Sequence, residues 1–153
     1  MLNSQCSILI REATRLLSFA AMSHKVALSD QLEERLIEFA AQIIKLAGRL
    51  SKNFQGRHVA KQILRSGTAG APNYAEARGA ESRADFIHKM RIVQKELNET
   101  SVWIRIIAKS SMIPRELLVD IFAENKELCR IASASIRTAR TSVVASATDD
   151  NSR

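Results

Sequence analysis

Apolar side chains recur along much of the chain at alternating steps of four and three. They fall at Leu32, Leu36, Phe39, Ile43, Leu46 and Leu50, the spacing of a heptad seam along one helix face. Ser29 or Asp30 caps this helix, with Glu33 and Glu34 in its first turn, where the helix dipole favours anions. A short loop around Asn53 to Gly56 ends it, and a second helix starts near Arg57 with Ala60, Ile63, Leu64, Gly67, Ala71 and Tyr74 on its inner side. The third pattern is the most regular. Ser82, followed three residues on by Asp85, is a capping box with a shortened acid, and Phe86, Met90, Val93, Leu97, Thr100, Ile104 and Ile107 keep the rhythm after it. That predicts a helix of about thirty residues, or about 45 Å. Pro114 suits the first turn of a fourth helix, where its missing N–H is no loss. Leu118, Ile121, Asn125, Leu128, Ala132, Ser135 and Ala139 give that helix a weaker seam.

Four amphipathic helices with short joins predict an all-α, antiparallel up-and-down bundle over residues 30–140. An N-terminal extension, 1–29, precedes it, and a flexible polar tail, 141–153, follows. Within the extension, residues 4–22 can form an amphipathic helix with Leu9, Ala13, Leu16 and Ala20 on one side, and Ser23 to Ser29 reads as a polar connector. Its Arg and Ser content and single acid loosely resemble an organelle-targeting peptide, a composition common by accident; another reading is that the functional chain starts near Met22 and the leader is an extension. Pro72 falls inside the second helix. It lacks an amide proton and crowds the carbonyl of Thr68, and Gly67 and Gly70 weaken the same turn, so a kink or short break is expected. Two readings of it stay open: a bend that lets the helix follow its neighbours, or backbone opened to a partner.

At 153 residues the chain has the size of one domain. Its 46% hydrophobic and 25% charged residues exclude disorder over most of its length. With 5 Gly and 2 Pro it lacks the turn formers of an all-β sandwich or barrel. Cys6 and Cys129 fit no C-x-x-C or secreted disulfide pattern, which favours a reducing compartment and predicts a cytoplasmic protein. Arg11, Glu12 and Arg15 interrupt the only apolar run that could serve as a membrane span or a secretory signal.

The stretch QILRSGTAGAPNYAEA (62–77), followed by DFIHK (85–89) and by KELNET (95–100) with Trp103, resembles a bacterial four-helix-bundle family. That family is often named for the intervening sequences of 23S ribosomal RNA genes in which some members are encoded. The likeness covers Leu32 to Ala139. It rests on Arg65, Pro72, Asn73 and Glu76 in an R-S-x-x-x-x-P-N-x-x-E-A turn, with Phe86, Glu96, Glu99 and Trp103 downstream. The resemblance implies a long antiparallel bundle, assembled side by side into a homopentamer, and does not imply an enzyme. A related branch, the accessory proteins of diversity-generating retroelements, consists of basic pentamers that bind nucleic acid and a reverse transcriptase. This chain resembles the intervening-sequence branch more closely, and the likeness settles fold better than function.

No residue pattern points to catalysis. His24, His58 and His88 have no partner at metal-ligand spacing, and the Glu-x-x-His pairs of di-iron bundles are missing. Phosphate-binding loops and nucleophile elbows are missing too, so neither metal nor cofactor is expected. Glu96 and Glu99 are neighbours on the third helix beside Trp103. A glycosidase pair would need a concave site between two elements. The alternative is structural, with Arg65 paired across helices to Glu76, Glu96 or Glu99, and Trp103 in the core or a subunit interface.

The formal net charge of +7 suggests an anionic partner, and its location decides what that means. Lys45, Arg49 and Lys52 follow acids in the first helix, and Arg130, Arg137 and Arg140 follow Glu116, Asp120 and Glu124 in the fourth, as helix dipoles favour. Arg57, Lys61 and Arg65, at i, i+4 and i+8, instead oppose the dipole of the second helix. Either a phosphate backbone or the acids of a neighbouring helix or subunit would account for them. A second group, Arg78, Arg83, Lys89, Arg91 and Lys95, flanks the joint between helices two and three, and a cyclic assembly would multiply both groups. Aromatic residues make up only 5%, which leaves little for base stacking. The expected function is therefore non-enzymatic, phosphate-directed binding of RNA or DNA by an oligomer, as an accessory to an RNA or reverse-transcriptase system. The alternative is a protein scaffold that touches no nucleic acid.

Overall fold

A computed structural model describes residues 4–149, which form α1 (Ser4–Gly48), α2 (Phe54–Arg78), α3 (Arg83–Lys109), a 3-10 turn (Arg115–Leu118) and α4 (Val119–Asp149). The chain divides into two units between Glu34 and Arg35. The first unit is the part of α1 up to Glu34. Residues 4–22 are helical as expected, but so is the predicted connector from Ser23 to Ser29. Ser29 does not cap a helix start; its hydroxyl donates to the carbonyl of Val26 at 2.8 Å, within the helix. The connector is polar yet holds no Gly or Pro, and polarity alone does not break a helix. Ala20, Met22, Val26 and Leu28 are exposed. The side chains of Leu9, Ala13 and Leu16, and with them the targeting-peptide reading, lie outside the described residues.

The second unit is the bundle, an all-α antiparallel arrangement. Ile43 meets Gly67 and Leu36 meets Gly70, which sets α1 against α2. Arg65 reaches Glu96 and Glu99, and Thr100 donates to Ser66 at 2.9 Å, joining α2 to α3. Gln94 donates to Ser133 at 2.6 Å and buried Asn125 to the carbonyl of Leu97 at 3.1 Å, joining α3 to α4. The circuit closes through Arg35, whose guanidinium holds both carboxylate oxygens of Glu124 at 3.0 Å. The hydrogen bonds that Glu124 accepts raise the pKa of Arg35.

The core is where the heptads put it in α1 and α3. Leu36, Phe39, Ile43, Leu46 and Leu50 are buried, as are Met90, Val93, Leu97, Thr100, Ile104 and Ile107, whereas Leu32 and Phe86 are half-buried. In α4, Leu118, Ile121, Asn125, Leu128 and Ala132 are buried; Ile136 takes the place expected of Ser135, and Ala139 is half-buried. The inner face of α2 differs from the expected one. Ala60, Leu64 and Ala71 are only half-buried, and the buried line is Gly56, Val59, Ile63, Ser66, Gly67, Gly70, Tyr74 and Ala77. Small residues here let α1 come close, so a Cβ on Gly67 would stand 2.7 Å from Ile43 Cγ2.

The helix ends refine the expected joins. Asn53 caps α2 by accepting from the Gly56 amide at 2.8 Å, so Gly56 belongs to the first turn and not to the loop. A Cβ there would run into the Ser51 carbonyl at 1.9 Å. Ser82 caps α3 as predicted, accepting from the Asp85 amide at 3.1 Å. Pro114 precedes the 3-10 turn and is not within a first α-turn. No break occurs at Pro72, since α2 is helical throughout. Pro72 is exposed, so the Thr68 carbonyl it leaves without an N–H lies on a side that water can reach. The tail expected from 141 is helical as far as Asp149, and its remainder lies outside the described residues. No helix among the described residues is long and apolar enough to cross a membrane.

Candidate nucleic-acid interface

Antiparallel packing gathers the end of α1, the start of α2, the end of α3 and the start of α4 at one end of the bundle. On its α1–α2 side Lys45, Arg49, Lys52, Arg57 and Lys61 are all exposed. The Arg57 guanidinium donates to the Lys52 carbonyl, which ties the α2 start to the preceding loop and leaves the charge without a carboxylate among the described residues. Lys61, one turn further on, is likewise free of any ion pair among the described residues. Arg57 completes the first turn of α2, where the dipole disfavours a cation, and Lys61 lies one turn beyond it.

Arg65, the third member of this stripe, is committed elsewhere. It pairs with Glu99 on α3, and its other terminal nitrogen lies 3.5 Å from Glu96, which is itself buried. The hydrogen bond from Arg65 holds the Glu99 carboxyl below its ordinary value, aided by the Trp103 indole N–H, which donates to Glu99 at 3.3 Å. Reciprocally, Glu99 raises the pKa of Arg65. Trp103 is half-buried and meets His58 edge-on, with ring centres 6.1 Å apart. The motif residues Arg65, Glu96, Glu99 and Trp103 therefore form one structural cluster that fixes α2 against α3. Of the three carboxylates expected for Arg65, Glu96 and Glu99 serve, and Glu76 does not. Asn73 bonds back to the Ala69 carbonyl at 2.8 Å inside α2.

Arg78 and Arg83 of the second basic group lie at the opposite end, since α2 advances about 30 Å from Arg57 to Arg78. Within the group Lys89 is claimed by Glu76, which raises the lysine pKa through their hydrogen bond. Lys95, midway along α3, instead meets the same Glu96 carboxylate as Arg65, at 3.6 Å, but is largely exposed. Arg78, Arg83 and Arg91 are exposed.

The α3–α4 side of the first end carries cations that sequence reasoning missed: Arg105, Lys109, Arg115 and Lys126, all exposed around an apolar groove. Arg105 and Lys109 come from α3, Arg115 from the 3-10 turn and Lys126 from α4, so no single segment announces the set. His58 and His88 are exposed, whereas the side chain of His24 lies outside the described residues. Among the described residues no group of three His, Cys, Asp or Glu could hold a metal ion. Cys129 is half-buried, and burial pushes its thiol pKa up, away from the reactive thiolate.

Comparison with known proteins adds to this geometry. The family model described as 23S rRNA-intervening sequence protein matches residues 31–134. A solved structure from Bacteroides thetaiotaomicron, described as a protein of unknown function from the S23 ribosomal protein family, is 35% identical with a TM-score of 0.67. The match covers 71% of this chain and 97% of that one. No curated protein matches.

Proposed function

The chain belongs to the 23S rRNA-intervening sequence protein family, and on that premise we propose that it is a non-enzymatic, oligomeric bundle that binds nucleic acid through phosphates. The observation that carries this reading is the exposed row Arg49, Lys52, Arg57 and Lys61, which has no carboxylate partner among the described residues. The competing account of Arg57 and Lys61 is pairing with acids of a neighbouring helix or subunit; within the chain, among the described residues, such acids serve only Arg65 of this stripe. Phosphates would supply the missing counter-charge without need of an aromatic groove. Lys89, already paired with Glu76, takes a structural part, and Arg83, Arg91 and Lys95 form a secondary patch.

Assembly as a homopentamer is part of the same proposal. Ile37 and Ile44 on α1, and Val102 and Ile106 on α3, are exposed apolar pairs. α1 and α3 are each flanked by α2 and α4, so the two pairs lie on opposite sides of the bundle. Such a head-to-tail arrangement closes into a ring if the rotation allows, and a ring repeats the basic end around its rim. These apolar pairs also favour the second reading, a scaffold that meets protein alone, with a reverse transcriptase or another protein as partner.

Size-exclusion chromatography with light scattering, run with and without a short RNA at low and high salt, separates the two. Binding through phosphates predicts an RNA-dependent mass increase at low salt that disappears at high salt. An oligomer with no increase at either salt would replace it with the scaffold.

A further inference from the structure

A groove of about 670 Å³ opens between the end of α3, the 3-10 turn and the start of α4. Its floor is apolar. Ile104 and Leu118 are buried beneath it, Phe122 is half-buried in it, and Val119 remains 57% exposed along it. Arg105, Lys109, Arg115 and Lys126 stand around this floor, and no acidic residue lines it. None of the four is ion-paired among the described residues, and Lys126 lies over the Phe122 ring at 5.4 Å from its centre.

Local helix electrostatics does not account for the set. Lys109 lies in the last turn of α3, where the dipole welcomes it, but Arg105 one turn earlier repels it at i, i+4. Arg115 opens the 3-10 turn, where a cation is disfavoured, and Lys126 lies beyond the first turn of α4. Together they hold unbalanced positive charge beside apolar surface that water covers poorly. A nucleic-acid backbone would answer the charge but gain nothing from the floor, and Lys126 already occupies a face of the one aromatic ring.

We propose that this groove docks a partner protein through an acidic amphipathic helix, whose apolar side chains settle on Val119 and Phe122 while carboxylates on its flanks meet the four cations. Helix-in-groove recognition needs this combination of apolar anchors and a charged rim. The proposal does not depend on nucleic-acid binding, which is assigned to the α1–α2 side.

The test is fluorescence anisotropy on the full chain with three labelled probes: a helical Leu/Glu peptide of about 16 residues, an oligoglutamate of equal charge, and an oligouridylate of equal charge. The Leu/Glu peptide should bind at least about tenfold more tightly than oligoglutamate. Arg105→Glu, Lys126→Glu and Val119→Asp should each weaken it by about tenfold or more, with unchanged thermal melting because all three side chains are exposed. Arg57→Gln/Lys61→Gln should leave peptide affinity unchanged while weakening the oligouridylate. The proposal is overturned if oligoglutamate binds as well as the Leu/Glu peptide, if the groove variants bind like the wild type, or if no peptide binds. It is equally overturned if oligouridylate displaces the peptide and the groove variants abolish both, since the groove would then be nucleic-acid surface.

Discussion

Two glycines one turn apart on α2 show how much a single methyl group decides. In a helix interior Gly→Ala ordinarily gains about 1 kcal/mol. At Gly67 the new Cβ would lie 2.7 and 2.8 Å from the two γ-carbons of fully buried Ile43, branch atoms that cannot swing aside. Overpacking of this kind costs about 1–3 kcal/mol, so Gly67→Ala should be destabilised by up to about 2 kcal/mol. At Gly70 the nearest atom is a terminal methyl of Leu36 at 3.3 Å, which can shift, so Gly70→Ala should melt at or above the wild-type temperature. Denaturant unfolding of the pair checks this, and a stabilised Gly67→Ala would mean that α1 and α2 are not in this register. Glu99 supplies a pH dependence. Its folded pKa is depressed by Arg65, so its contribution is present above the unfolded value of 4.5 and is lost as pH falls through the folded value. The melting-temperature gap between wild type and Glu99→Gln should therefore be widest near neutral pH and close in acid. A gap independent of pH would show that the Arg65 contact contributes no net linkage.

Helix ends and faces differ in how plainly the sequence announces them. α3 ends in a Schellman turn: the Met112 amide donates to the Ile107 carbonyl at 3.2 Å and the Ser111 amide to that of Ala108 at 3.4 Å. This puts Ser111 at φ 52°, a left-handed conformation that glycine adopts freely. Ser111→Gly should thus raise stability by about 1 kcal/mol, measured by thermal or denaturant unfolding, whereas an equal loss would argue against the turn. Nothing in Ser110-Ser111 announced it. The α3 seam was legible from Met90 to Ile107 because large apolar side chains and one Thr kept a strict period, whereas Phe86 is half-buried and Glu96 is buried beside the seam. The α2 face was not, because Gly56, Ser66, Gly70 and Ala77 pack by being small and leave no hydrophobic signal. The stretch from Ser23 to Ser29 misled in the opposite direction, since its polar side chains look like a linker but favour no turn.

For the molecule as a whole, assembly and ligand binding are separable. If Ile37 and Ile44 on one copy meet Val102 and Ile106 on the next, either Ile44→Glu or Val102→Glu should reduce the light-scattering mass to that of a single chain while circular dichroism stays helical. A fivefold chain mass that persists in both variants would place the interface elsewhere. The candidate site was legible only in part. Arg57 and Lys61 stood out in the sequence as cations set against their own helix dipole, but Arg65 shared their spacing and proved to be committed to Glu99, and Lys89, in the second basic group, to Glu76. The four cations of the α3–α4 groove come from three elements, each unremarked in its own segment, and only the antiparallel path brings them together. The most direct test of the central claim is the affinity for a labelled single-stranded RNA of about 20 nucleotides as a function of salt. Phosphate-directed binding predicts a logarithmic plot that falls linearly with salt, with a slope about 1.4 shallower in Arg57→Gln/Lys61→Gln than in the wild type. Binding that is flat in salt, or a slope the double substitution leaves untouched, would contradict it.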